Sequence, residues 1–349
     1  MSRTLAFAYP GDLRTPTGGY VYDRRVIAAW RAEGRCVQEI ALSPRFPAPR
    51  PEDVAEAAML LRQTRADAVI VDGLALGALP ADVLAGSAAP LIGLIHHPLF
   101  LESGLAPQEA ARLKALEGAA LARCDAIVAT SARTAQILTE TFGVANVHVA
   151  EPGVDPASRA PGSPCGPVRL LAVGALSPRK NYAMLLAALG AVDGDWRLDI
   201  VGATDRAPPL AAALVAQAQA LGLASRVRLT GALDDAATQR AFDSADLFVH
   251  PAVYEGYGMA VAEAIAHGLA LVVSAEAAET GVTRGAGALI APADAPVLWA
   301  NRIQTLIDDR TLRATLAARS WRAAQTQPRW AETAAAVRDG VATARGNRR

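Results

Sequence analysis

The sequence predicts an α/β protein of two doubly wound domains, each a mostly parallel sheet covered by helices on both faces. Three observations predict it: a strand-then-helix rhythm that runs twice, a dense Pro and Gly run between the two passages, and a length of 349 residues, too long for one ordinary core. In the first passage, short apolar runs at 4–9, 37–42, 68–72, 91–96, 126–130 and 147–150 read as strands, with helical patterns starting near Gly19, Pro51, Ala75, Pro107 and Ser131. The stretch 151–164 holds Pro152, Gly153, Pro156, Pro161, Gly162 and Pro164, breaks the rhythm and marks a boundary. Strands resume at 168–173, 197–201, 227–230, 247–250, 270–273 and 288–290, with helices through 183–189, 211–221, 235–244 and 261–266. From Pro296 onward only helical patterns remain. The expected division is therefore 1–155, 166–325 and a helical tail at 326–349.

Composition excludes several classes. At 52% hydrophobic and 19% charged, the chain is not disordered. Formal net charge is zero, and residues 1–150 carry fourteen basic against fifteen acidic side chains, so no overall basic field points to nucleic acid or anionic lipid. Cys36, Cys124 and Cys165 are odd in number, far apart and without Cys-x-x-Cys spacing, so they read as reduced thiols and no metal site is expected. Met1-Ser2-Arg3 leads directly into a strand, and apolar runs are interrupted before about 18 residues. A cytoplasmic location is expected, with peripheral membrane contact left open.

The most informative segment is Tyr254-Glu255-Gly256-Tyr257-Gly258-Met259-Ala260-Val261-Ala262-Glu263. It follows the strand-like 246–250 and precedes a helix, so two carboxylates and two glycines gather at a strand's C-terminal end, where open α/β sheets place ligands. Glycines 256 and 258 let the backbone approach a ligand, and the helix start offers unpaired N–H groups to an anion. Glu255 is expected in the turn and Glu263 about two helical turns on, roughly 12 Å away along the axis. Spacing alone carries little weight. Glu109 and Glu117 repeat it inside an uninterrupted helical stretch, 107–123, with Arg112 and Lys114, which reads as a solvated face.

Each half also opens with a strand and a glycine-bearing turn. The second half carries Val173-Gly174-Ala175-Leu176-Ser177-Pro178-Arg179-Lys180-Asn181, and Lys180 is one of two lysines against thirty-two arginines. An ammonium at such a turn can sit as a point charge against a phosphate oxygen. Thr17-Gly18-Gly19-Tyr20 in the first half permits close approach to phosphate or acceptor. His96-His97-Pro98 closes the fourth strand, and adjacent side chains there point to opposite faces. Gly202 and Gly231 end two further strands.

Taken in order, these segments resemble the family-4 retaining glycosyltransferases of the GT-B fold. The resemblance implies two Rossmann-like domains facing across a cleft, with the C-terminal helix crossing back to the first and Trp321 and Trp330 as candidate anchors for that return. It implies that Glu255 contacts hydroxyls of the transferred sugar, that Gly256, Tyr257, Gly258 and Met259 support the sugar and diphosphate, and that Glu263 holds the ribose diol. Gly174, Arg179 and Lys180 would clamp the diphosphate. Gly202 and Gly231 would lie where the base is seated, Gly18 and Gly19 near phosphate or acceptor, and His96, before His97, near the donor sugar. Two departures stand out: Ala175 replaces a frequent Arg, and Ser274-Ala275-Glu276-Ala277-Ala278-Glu279-Thr280 lacks the usual Gly-Gly-x-Pro-Glu.

The function so implied is transfer of a sugar from a UDP- or GDP-linked donor to a hydroxyl with retention. No metal or other cofactor is expected, because Arg179 and Lys180 take the cation's place, and the leaving phosphate would act as base. The acceptor, small molecule, glycan or lipid, and the oligomeric state are not readable. Replacing Lys180 by Ala is expected to reduce turnover with little change in stability. An epimerase or phosphorylase on the same fold would isomerise nucleotide sugars or release sugar with phosphate. A non-catalytic sugar-binding protein would bind free sugar.

Overall fold

The computed structural model describes residues 4–163, 165–205 and 207–347; Met1, Ser2 and Arg3 of the opening and Pro164 of the Pro and Gly run lie outside the described residues. In chain order the strands are β1 (Thr4–Pro10), β2 (Cys36–Leu42), β3 (Ala68–Asp72), β4 (Leu91–Ile95), β5 (Ala126–Ala129), β6 (Val147–Val149), β7 (Val168–Val173), β8 (Trp196–Val201), β9 (Val227–Gly231), β10 (Leu247–His250), β11 (Ala270–Ser274) and β12 (Ala288–Ala291). The helices are α1 (Gly18–Ala32), α2 (Pro51–Gln63), α3 (Gly73–Leu76), α4 (Ala81–Ala85), α5 (Pro107–Leu121), α6 (Ala132–Phe142), α7 (Tyr182–Leu189), α8 (Pro208–Ala220), α9 (Asp235–Asp243), α10 (Met259–Ala266), α11 (Ala275–Ala278), α12 (Pro296–Asp308), α13 (Arg310–Ala324) and α14 (Trp330–Asn347).

These elements form two compact units, Met1–Gly153 with Pro328–Arg349, and Val154–Gln327. The first unit holds a parallel sheet of order β2-β1-β3-β4-β5-β6, the second one of order β12-β11-β10-β7-β8-β9. Both are doubly wound. Strand order reverses between β1 and β3 in one and between β10 and β7 in the other, and crevices open beyond strand C-termini at such points. Strands β3, β4, β10 and β11 are buried along their whole length, as helix cover on both faces requires, whereas the edge strand β2 is buried at only three of its seven positions.

In the first unit the final helix α14 packs on α1. Trp30 is fully buried and its Nε1 donates to Ala334 O at 2.9 Å, while Trp330 meets the ring of Tyr22 edge-on at 5.8 Å. Gly153 lies so close to the returning chain that a Cβ there would stand 2.3 Å from Trp330 N. Trp321 does not share this role. It lies on α13 in the second unit against Gly268, because α13 ends before the chain leaves that unit at Pro328.

The solvated reading of the 107–123 stretch holds for Glu109, which pairs with Arg112, and fails for Glu117. Glu117 is fully buried on α5, where its Oε1 accepts Leu99 N at 3.1 Å. Burial pushes its carboxyl up to about 7, against the amides of Leu99 and Phe100. It closes the short turn that follows His97, a tertiary duty invisible to helical spacing.

Candidate active site

The second unit brings Arg179, Lys180 and Glu255 together at the point where its strand order reverses. Beyond β7, Pro178 fixes the backbone of a single 3-10 turn, Pro178–Lys180. Asn181 follows in the left-handed region at φ 57°, a conformation that Asn tolerates when its side chain is anchored. Here it is anchored, with Nδ2 donating to Pro251 O at 3.2 Å and Ala293 O at 2.8 Å. Val253 N donates to Arg179 O at 2.9 Å and Arg179 Nη1 to Tyr254 O at 3.0 Å. The cationic turn is thereby stitched to the loop after β10.

That loop is held from its other side as well. Ser274 Oγ donates to Ala252 O at 2.6 Å and Thr280 Oγ1 to Tyr257 O at 2.7 Å. Glu276 accepts Ala293 N at 3.1 Å, so side chains of the stretch lacking the usual glycines fix the backbone around it. Glu279 caps that short helix.

Glu255 is 7% exposed. Its Oε1 accepts Lys180 Nζ and, at 2.9 Å, His250 Nε2, while its Oε2 lies 3.5 Å from Arg179 Nη1. Burial alone would raise its carboxyl, but Lys180, His250 and Arg179 hold it well below the usual carboxylate range. Burial depresses His250, and the nearby Lys180 and Arg179 oppose Glu255 in the same direction. The ring is therefore neutral, with Nε2–H donating to an ionised Glu255.

Gly256, Tyr257 and Gly258 are buried beside this network. Gly258 adopts φ 100° and caps α10, whose first amides, at Met259 and Ala260, have no intrahelical acceptor. Glu263 lies in the second turn of α10 and is half-buried. Because the helix starts at Met259, only four residues of rise separate it from the helix start, roughly 6 Å. Residues 256–258 are loop and not helix, so Glu263 stands one turn into α10 and not two.

Gly174, Gly202 and Gly231 end three neighbouring strands. Gly174 N donates to Val201 O at 2.9 Å and Gly202 N to Gly231 O at 3.1 Å. A Cβ on Gly202 would stand 2.0 Å from Gly174 O, and one on Gly174 would stand 2.9 Å from Lys180 Cε. The backbone packing itself demands glycine at 202. Gly202→Ala is expected to destabilise the protein by about 3 kcal/mol, read as a lower urea midpoint at an unchanged slope; an unchanged midpoint would refute the steric account.

The first unit assembles a second cluster where its strand order reverses. Asp72 ends β3 and His96 follows β4. Gly18 and Gly19 begin α1, and a Cβ on Gly19 would meet His96 Cδ2 at 3.3 Å. His96 Nε2 lies 2.9 Å from Asp23 Oδ1 and 3.4 Å from Asp72 Oδ2. His97 turns away, its Nε2 3.5 Å from Glu102 Oε2. Burial acts to lower the His96 pKa, yet Asp23 and Asp72 raise it to about 10. Burial lifts the Asp23 carboxyl to about 8, although His96 draws it down.

Both shifts have one sign. A group whose pKa is higher in the folded state stabilises the fold below its unfolded value and loses that contribution as pH rises through the folded one. For His96 the window runs from about 6.5 to about 10. The melting temperature is expected to fall across it, and His96→Gln should flatten the fall; parallel profiles for the two proteins would contradict the assignment.

His250, Asn181, Asp23 and Asp72 escaped the sequence reading. A signal existed for Asp23, which shares the buried face of α1 with Val26, Ile27 and Trp30, an odd place for a carboxylate. Asp72 closes an otherwise apolar strand. For His250 no local sign separates a site residue from a strand end.

Comparison with known proteins agrees with this architecture. Residues 12–158 match the family model described as Glycosyltransferase Family 4, and residues 167–309 that of Glycosyl transferases group 1. A D-inositol 3-phosphate glycosyltransferase of Xylanimonas cellulosilytica is 28% identical over 243 residues, 64% of this chain and 58% of that protein. The match thus spans less than two thirds of that relative's length. Among solved structures, a sucrose-phosphate synthase from Thermosynechococcus elongatus superimposes with a TM-score of 0.82 at 18% identity, over 97% of this chain and 98% of that one. HepE of Anabaena, in complex with UDP-glucose, does so with a TM-score of 0.79 at 18% identity, over 97% and 99%. With two parallel doubly wound sheets and both halves matched in order, the chain belongs to the family-4 glycosyltransferases and has their GT-B fold.

Proposed function

We propose that the protein transfers a glycosyl group from a nucleotide diphosphate sugar to a hydroxyl of an acceptor, with retention of configuration and without a metal ion. The observation that carries this reading is the joining of Lys180, Arg179, Glu255 and the start of α10 where the second sheet reverses its strand order. One guanidinium and one ammonium, together with the helix-start amides of α10, suit a diphosphate. A buried, ionised carboxylate suits the hydroxyls of a sugar.

In this arrangement the opposite charges satisfy each other. An arriving diphosphate competes for Lys180 and Arg179, which frees Glu255 to accept hydroxyl protons of the sugar while His250 keeps it oriented. Charge growing on the departing diphosphate is then met by cations already in place. The leaving phosphate oxygen takes the acceptor's proton, and His96 serves the donor sugar. Glu263 holds the ribose diol, Gly202 and Gly231 border the base, and Gly18 and Gly19 border phosphate or acceptor.

HepE is described in complex with UDP-glucose, which favours a UDP-linked hexose as donor. The curated relative is named for a phosphorylated polyol, which favours a small hydroxylated acceptor over a lipid. The test is a panel of UDP-, GDP- and ADP-linked hexoses scored for thermal stabilisation, where a ligand at a hundred times its Kd adds about 2.7 kcal/mol. The stabilising donor is then assayed for transfer by chelator-treated protein. Product of inverted configuration, or turnover that stops without a divalent cation, would contradict the proposal.

A further inference from the structure

We propose that Asp23 and Asp72 are positioning residues that hold His96 protonated on both ring nitrogens, so that its Nδ1–H donates to an oxygen of the bound sugar and His96 never acts as a base. This inference rests on the glycosyl-transfer reading for the identity of the sugar. Its geometric part stands within the first unit.

Both carboxylates converge on the same nitrogen. Nε2 carries one proton and faces Asp23 Oδ1 at 2.9 Å and Asp72 Oδ2 at 3.4 Å. With two acceptors on that side, Nε2–H is fixed, and the charge state decides only whether Nδ1 accepts or donates. Both aspartates are buried, at 0% and 2% exposure. Asp72 cannot swing away, because its Oδ1 accepts Leu74 N at 2.7 Å as the cap of α3. Among the described residues Asp23 Oδ2 has no hydrogen-bond partner. Charges so buried must cancel locally: an imidazolium cancels Asp72, and a proton on Asp23 removes the other charge.

The ring itself is immobilised. Gly19 approaches one face, the Tyr22 ring stands edge-on at 5.0 Å and 75°, and Thr130 Oγ1 donates to His96 O at 3.3 Å. The polar and titratable groups facing His96 are thus Asp23 and Tyr22 from α1, Asp72 from the end of β3 and Thr130 from beyond β5. None is a cation that would oppose the imidazolium.

The experiment is a nitrogen-15 NMR titration of the full chain labelled at histidine, with the His96 signals assigned by their loss in His96→Gln. Both ring nitrogens of His96 should remain protonated at pH 8.5. In Asp72→Asn the ring should titrate near neutrality, and the ratio of kcat/KM at pH 6.5 to that at pH 8.5 should rise about tenfold, whereas Asp23→Asn, which mimics the protonated carboxyl, should leave both ring nitrogens protonated at pH 8.5. A wild-type ring that titrates near its ordinary 6.5 overturns the inference, and that measurement needs neither variant to fold. So does a ring whose Nε2 shifts on adding zinc or manganese, since the three groups lie within 4.8 Å of one another and would then be metal ligands. A transfer assay silent with every donor sinks the glycosyl-transfer reading and the sugar as acceptor of Nδ1–H; an ordinary titration beside active transfer sinks this inference alone.

Discussion

Lys180→Ala is expected to lower kcat/KM about a hundredfold, the usual result of removing one preorganised group that meets developing charge. It is also expected to lower stability by about 2 kcal/mol. The sequence reading expected almost no change in stability, and the buried partner overturns that: Lys180 and Glu255 side chains are 13% and 8% exposed. Removing one member of a buried pair leaves a carboxylate stranded, here relieved in part by Arg179 and His250. The double variant Lys180→Ala with Glu255→Gln should recover most of the stability and none of the activity. Urea unfolding and steady-state kinetics on all three proteins separate the two effects. Near-normal turnover by Lys180→Ala would remove the ammonium from the chemistry.

Glu255→Gln is expected to reduce turnover by about a hundredfold as well, but to bind UDP alone more tightly than the wild type does. The amide keeps an oxygen for His250 Nε2–H and preserves the packing. It no longer neutralises Lys180 and Arg179, so a diphosphate without sugar meets two cations that need not first leave a carboxylate. A gain of about fivefold in affinity corresponds to roughly 1 kcal/mol, measurable by calorimetry. Weaker UDP binding by this variant would mean that Glu255 does not compete with the diphosphate, and the exchange of partners would have to be abandoned.

The two predictions draw on features of different legibility. All twelve strands could be read from short, largely apolar runs: strands covered on both faces, such as β4 and β11, exclude charge, whereas β2, β7, β8 and β9 admit Glu39, Arg169, Arg197, Asp199 and Arg228 where they are exposed or half-buried. Gly174, Lys180 and the Glu255–Glu263 segment were legible because each follows such a run. Glu117 was misread because helical spacing reports which residues share a face and not what covers that face. The start of α10 was read too early, because Gly258 at φ 100° delays it to Met259.

Local order along the chain determined two doubly wound sheets, the turns that close their strands, and one lysine placed at such a turn in an arginine-rich chain. Those are statements about neighbours, set by side-chain period, by glycine's freedom and by proline's fixed angle. Tertiary structure decided the partners: Lys180 meets Glu255 across 75 positions, and Asp23 meets His96 across 73. It decided the charge states too, with neutral His250 and cationic His96 parted by what surrounds each ring. Electrostatic energy depends on distance and on water excluded, and neither is written in the spacing of residues.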